Sequence, residues 1–211
     1  HDQRTPLASI MTSASAILEQ TDRLSHDEIR HYAELIQEET QQVARLTDNT
    51  LTLARLSGEK VKVPMQLESV EDMVAAVLQR LRKRKTLYIP TVKVAAGLPL
   101  VNCNMVLVEQ VLDNLIDNAI KHSGVPGSVE LKVLQQQGEV VFQVTDSGQG
   151  MQSQLKSKGD ESRGLGIGLQ LCKAVAQVHS GRLEFSSAAS SGIGVLATFA
   201  LPSTIAQEHG A

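Results

Sequence analysis

The sequence predicts two unlike parts: a helical hairpin at the N-terminus and an α/β sandwich behind it. Three observations carry this. Up to Gly58 the chain holds one glycine and one proline, Pro6, and its apolar residues recur in steps of three and four. Beyond Gly58 short alternating stretches, LKV at 131–133 and VFQV at 141–144, read as strands. They alternate with helical patterns at about 69–82, 104–121 and 166–179, which suits one layer of helices on one sheet.

The first helix is expected over roughly 2–20, its apolar stripe made by Leu7, Ile10, Met11, Ala14, Ile17 and Leu18. After a polar break from Gln20 to His26, a second helix over 26–57 carries Ile29, Tyr32, Ile36, Val43, Leu46 and Leu53. That seam resembles a coiled coil, with Glu39 and Thr50 as its polar interruptions. Asp27 and Glu28 suit the positive end of a helix that starts there. One narrow stripe per helix buries too little to stand alone, so the hairpin is expected to dimerise into a four-helix bundle. The expected division is 1–58 for the hairpin, 59–205 for the sandwich and 206–211 for a tail, with fraying expected after Pro202.

Composition excludes several classes. With 20 Lys+Arg against 23 Asp+Glu, the net charge of −3 argues against nucleic-acid binding. No apolar run approaches the roughly 18 residues of a membrane span, and no signal peptide opens the chain. Cys103 and Cys172 lie far apart without metal-type spacing, so neither a disulfide framework nor a zinc site is expected. A soluble, cytoplasmic chain is the expectation.

Four local constellations carry chemistry. The first is the opening HDQRTP. Pro6 has no N–H for the carbonyl of Asp2, so a bend is expected beside His1. A histidine alone is most often a satisfied surface or core residue, but here its neighbours matter. An attacking imidazole must be neutral, and Asp2 can accept the other ring proton. Thr5, one turn on, can hold a water.

The second is EQVLDNLIDNAIKHS at 109–123. At about 100° per residue, Asn114, Asn118 and Lys121 fall within about 60° of one another. Leu112, Leu115, Ile116 and Ala119 lie on the other side. An ordinary polar face would show Glu and Lys where this one shows two amides. Two amide oxygens plus phosphate oxygens can complete a magnesium shell, and Lys121, with His122, can neutralise phosphate charge.

The third is VVFQVTDSGQG at 140–150. Asp146 shares strand parity with Val140, Phe142 and Val144, so its carboxylate points to the core side where the strand ends. Burial demands a polar partner, for which the exocyclic amino group of a purine is suitable. Gly148 and Gly150 allow close backbone approach, although the string alone also reads as a simple turn. The fourth is RGLGIGLQLCKAV at 163–175, where Gly164, Gly166 and Gly168 lead into a helix. Free amides at a helix start bind phosphate, and the spacing is not that of the dinucleotide fingerprint.

In this order the four strings resemble the sensor histidine kinases of bacterial two-component systems. HDQRTP is similar to their phosphoacceptor H box and EQVLDNLIDNAIKHS to their N box. DSGQG and GLGIGL resemble their two glycine boxes, and HSGRLEFSSAASSGIGVLATFALP the end of their catalytic domain. The resemblance implies autophosphorylation of His1 by ATP, Asp2 as general base, and Thr5 placing water for phosphatase activity on the phospho-regulator. It implies Asn114 and Asn118 on Mg²⁺, and Lys121 and His122 near phosphate. Asp146 would bind the adenine amino group, while Gly148, Gly150, Gly164, Gly166 and Gly168 would shape the nucleotide pocket and lid. The implied fold is a dimeric hairpin followed by the Bergerat-type ATP-binding sandwich shared with gyrase, MutL and heat-shock chaperone ATPases.

The implied partners are a second copy of the chain and a response-regulator receiver domain. A membrane would be met only through segments outside this sequence, as in the cytoplasmic part of an inner-membrane receptor. One departure stands out: between the glycine boxes lie only MQSQLKSKGDESR, without the aromatic F box of the family's longer lid. That departure, and a chain that begins at its phosphoacceptor, suggest a fragment of a longer receptor. A mobile joint is expected near Gly58. Two rival readings remain at this point. One is a non-catalytic dimeric docking module with weak or structural nucleotide binding. The other is an ATPase or anti-sigma serine kinase of the same fold, which has no use for HDQRTP.

Overall fold

The computed structural model describes residues 4–20, 22–58, 62–83, 89–123, 127–148, 166–188 and 194–204. The chain divides into two compact units, His1–Arg55 and Leu56–Ala211. Among the described residues no helix is long and apolar enough to cross a membrane.

The first unit is a helical hairpin of α1 (Arg4–Gln20) and α2 (His26–Leu56). Amides of Arg23 and Leu24 donate to the Gln20 carbonyl and turn the chain. Ser25 and Glu28 then form a reciprocal capping box. The Ser25 amide donates to Glu28 Oε2 at 2.8 Å, and the Glu28 amide donates to Ser25 Oγ at 3.3 Å. These bonds favour the ionised carboxylate and hold its pKa below the ordinary value. Pro6 lies in the first turn of α1, where its missing N–H costs little. The bend expected beside His1 lies outside the described residues. Ile29, Tyr32, Ile36, Val43, Leu46 and Leu53 are only half-buried. Leu7, Met11, Leu18 and Leu51 keep 48, 70, 80 and 52% of their surface exposed.

The second unit has β1 (Gln66–Glu68), α3 (Val70–Lys83), β2 (Thr91–Val94), β3 (Val101–Cys103), α4 (Met105–Ser123), β4 (Glu130–Gln136), β5 (Glu139–Thr145), α5 (Ile167–Val178), β6 (Arg182–Ser187) and β7 (Val195–Pro202). The main sheet runs β2-β4-β5-β7-β6, with β2 parallel to β4 and every other pair antiparallel. The sequence indicated two of these strands explicitly. It did not indicate the small antiparallel pair β1–β3, which adds a side ribbon to the expected layers. Gln137 and Gly138, with φ of 52° and 78°, close the β4–β5 hairpin as a two-residue turn.

In the central strands residues of both parities are buried, Val140, Val141 and Phe142 in β5 and Phe199, Ala200 and Leu201 in β7. Val133, Phe142 and Phe199 align across three strands and are buried, with ring centroids of the two Phe 5.8 Å apart. Each such fully buried side chain stabilises the fold by about 1.5–3 kcal/mol. Facing helices supply Val70, Met73, Val77 and Leu81 of α3, Val108, Val111, Leu112, Leu115 and Ile116 of α4, and Leu171 and Val175 of α5. Ser69 caps α3 through a 3.2 Å bond from the Asp72 amide, and Asn104 caps α4 through a 3.1 Å bond from the Leu107 amide. Arg80 of α3 reaches across to α4, with Nη1 2.6 Å from Glu109 and Nε 3.1 Å from Asp113. Fraying does not begin at Pro202: the Ser203 amide and hydroxyl donate to the Gly138 carbonyl at 2.9 and 2.7 Å.

Candidate nucleotide site

The site is built where β5 ends, α4 ends and α5 begins. Two contacts fix how the helices lie. The Asn104 amide, just before α4, donates to His179 Nε2, just after α5, at 3.0 Å. Seven residues on in α4 and seven back in α5, the Val111 carbonyl meets Cys172 Sγ at 3.9 Å. The helices therefore run antiparallel, one residue against one. Continuing that step sets Gly166–Gly168 level with Leu115–Asp117, between Asn114 and Asn118.

Asn114 and Asn118 are half-buried, whereas Lys121 and His122 are exposed at the end of α4. The opposite face is buried through Val108, Val111, Leu112, Leu115, Ile116 and Ala119, as the periodicity requires. Burial and the neighbouring Lys121 lower the His122 pKa against a smaller opposing pull from Asp146. Both of the larger effects favour the neutral ring.

Asp146 is 6% exposed, buried like Val140, Phe142 and Val144, whose parity it shares. Its Oδ1 accepts from the Gly148 amide at 2.8 Å and the Val195 amide at 3.3 Å. The partner demanded by burial is thus supplied in part by the backbone of its own loop and of β7. Gly148 is buried against α4: a Cβ there would collide with the His122 carbonyl and crowd Asp146 Oδ1. Only glycine lets the end of β5 touch the end of α4. Gly194, at φ 78°, closes the corner by donating to the Gly148 carbonyl at 2.9 Å. A Cβ on Gly194 would strike the Asp146 carbonyl.

Gly166 precedes α5 with φ −56° and ψ 158° and offers no side-chain cap, and the first turn holds no acid. Gly168 lies within that turn. The structure thus joins His122 of α4 to Gly148 and Asp146 after β5, and the contacts at Asn104 and Val111 lay the helix that carries Asn114, Asn118 and Lys121 beside the one that begins at Gly166 and Gly168. Thr5 is exposed in α1. His1, Asp2, Gly150 and Gly164 lie outside the described residues. Sequence reasoning missed Gly194 and His179; both sit in the closing string, and no local period marks either.

Among the described residues no group of three His, Cys, Asp or Glu can hold a metal ion. Two side-chain amides fit an ion that keeps its waters and shares a substrate's phosphate oxygens, not one caged by protein alone.

Residues 104–205 match the model of the histidine kinase-, DNA gyrase B- and HSP90-like ATPases, and residues 1–59 that of the His Kinase A (phospho-acceptor) domain. This chain belongs to the sensor histidine kinases. A phospho-acceptor domain followed by an ATPase domain is the domain order of a histidine kinase core. The kinase is 31% identical over 208 residues to the sensor protein KdpD of Clostridium acetobutylicum, covering 91% of this chain and 23% of that protein. It is 31% identical over 215 residues to the methanogenesis regulatory histidine kinase FilI of Methanothrix harundinacea, covering 96% of this chain and 24% of that protein. The chain thus spans about a quarter of each of these relatives. Its fold matches the Acinetobacter baumannii histidine kinase AdeS at a TM-score of 0.68 and 19% identity, over 97% of this chain and 98% of that one. It also matches full-length ShkA, solved with AMPPNP, at a TM-score of 0.64 and 22% identity, over 95% of this chain and 44% of that one.

Proposed function

We propose that the kinase binds ATP in the corner between α4, α5 and Asp146 and transfers its γ-phosphoryl group to His1. One observation carries this most directly. A buried carboxylate, a glycine that admits no side chain, and the uncapped start of α5 converge on the helix that presents two amides and a lysine. Residues 1–58 act as the phosphoacceptor hairpin, and 59–205 as the catalytic domain before a short tail.

The adenine amino group donates to Asp146, while Lys121 and the start of α5, with Gly164, Gly166 and Gly168, hold the phosphates. Gly148 and Gly150 keep the backbone close to the base. Asn118 and Asn114 would hold Mg²⁺, which supplies charge neutralisation on the phosphates when bound. In the transfer, a ring nitrogen of neutral His1 attacks the γ-phosphorus in line. The bond to the β,γ-bridging oxygen breaks, and ADP leaves with the electron pair. Asp2 accepts the other ring proton. The phosphohistidine then passes its phosphoryl group to an aspartate of a response-regulator receiver domain, and Thr5 places the water that hydrolyses the aspartyl phosphate in the phosphatase function, releasing inorganic phosphate. The working form is a homodimer joined through the exposed stripe of α1 and α2, on the cytoplasmic side of a membrane receptor.

Two substitutions test the reading together. His1→Gln abolishes labelling by radioactive ATP and leaves nucleotide affinity intact. Asp146→Asn keeps an oxygen for the two backbone amides, so it leaves the fold intact while weakening ATP by about 1.5–3 kcal/mol. Labelling that survives in the first variant, or unchanged affinity in the second, overturns the assignment.

A further inference from the structure

Among the buried ionisable groups of the second unit, His179 is one that the proposed chemistry leaves unused. It is 7% exposed, and both ring nitrogens are engaged. Nε2 accepts from the Asn104 amide at 3.0 Å, a group that can only donate. Nδ1 lies 2.8 Å from the Val175 carbonyl, a group that can only accept, so Nδ1 carries the proton. A single neutral tautomer satisfies both neighbours. Burial lowers the pKa of the ring in the same sense, against a smaller opposing effect of the Val175 carbonyl.

The two partners are the ends of the helices that frame the site. Asn104 is the cap of α4, its Oδ1 holding the Leu107 amide at 3.1 Å and its Nδ2 donating to the Pro64 carbonyl at 3.1 Å. Val175 belongs to the last turn of α5. Along the rest of these helices the buried side chains are mostly aliphatic, among them Val108, Val111, Leu115 and Leu171. Burial of aliphatic side chains is itself non-directional, and the contact of Cys172 Sγ with the Val111 carbonyl at 3.9 Å is that of a weak donor. The hydrogen bond at His179 is directional and resists an axial slip of one helix along the other.

We propose that His179 is a positioning residue for nucleotide. It sets the axial register of α4 against α5, and so the spacing between Asn114, Asn118 and the start of α5 about 20 Å away. This rests on the reading that ATP phosphates are held at those helix ends. His179 touches no reacting atom; it acts through the helices.

Three variants separate positioning from plain stability. His179→Gln can place its Oε1 where Nε2 lies and keep the acceptor for Asn104. His179→Asn is shorter and keeps a group only at the level of Nδ1. His179→Leu keeps neither. Affinity for a fluorescent ATP analogue is measured with Mg²⁺ on the whole protein, well below each variant's Tm. Asn and Leu at this position weaken binding about tenfold, and Gln restores it to within about twofold of wild type. Equal affinity in all folded variants overturns the proposal, since a purely structural role moves Tm alone. A Gln variant as weak as Leu also overturns it. Should Leu fail to fold, the contrast between Gln and Asn decides. Wild type that binds no ATP overturns the site reading itself, and this inference with it.

Discussion

Gly148 shows how one missing side chain can hold a site together. The Asp146 carboxylate is buried because β5 carries its parity one step past its last residue, and it stays buried because Gly148 lets the loop lie on the backbone of His122. A methyl group there would have to move the main chain of α4 or the carboxylate, since neither neighbour is the far end of a flexible chain. Gly148→Ala is therefore expected to cost about 1–3 kcal/mol of stability and to reduce nucleotide affinity as well. Urea unfolding and titration with a fluorescent nucleotide read the two effects separately. An alanine variant with unchanged midpoint and affinity contradicts the packing described. Gly194 is constrained twice over, by its left-handed φ and by the Asp146 carbonyl, so it is part of the same corner.

At the level of the element, α5 ends in a Schellman arrangement displaced from its usual sequence. The Ser180 amide donates to the Gln177 carbonyl at 3.0 Å and the Gly181 amide to the Ala176 carbonyl at 2.8 Å. The left-handed position normally given to glycine is held by Ser180, at φ 54°. The glycine comes one residue later because a Cβ on Gly181 would collide with the Ala200 carbonyl of β7. Close packing on the sheet thus fixes Gly181, and Ser180 bears the backbone strain. Ser180→Gly is expected to raise stability by about 0.5–1 kcal/mol, seen as a higher urea midpoint with unchanged slope. A lower midpoint would show that the serine side chain stabilises more than its backbone costs.

At the scale of the molecule, what the sequence made legible was what repeats locally. The helices at 69–82, 104–121 and 166–179 appear within a residue or two, because each has a continuous apolar face and α3 and α4 also carry a side-chain cap. Asp146 was placed by parity alone. The edge strands β2 and β6 were not named, being short and only half-buried on one side, and β1 and β3 have three residues each. The bond from Asn104 to His179 joins residues 75 apart, so no window on the sequence contains it. Of the apolar stripe expected in α1, Ile10, Ala14 and Ile17 are half-buried, while Leu7, Met11 and Leu18 stay open to water in the single chain. A helical pair whose cover comes from a second molecule obeys mass action. With the homodimer proposed above, dilution is a denaturant for the hairpin and not for the sandwich. Calorimetry over a range of concentrations should split into one transition that climbs with concentration and one that stands still. Two concentration-independent transitions would exclude it. The abundance of the protein in the cell would then help set how much phosphoacceptor is folded and ready to be used.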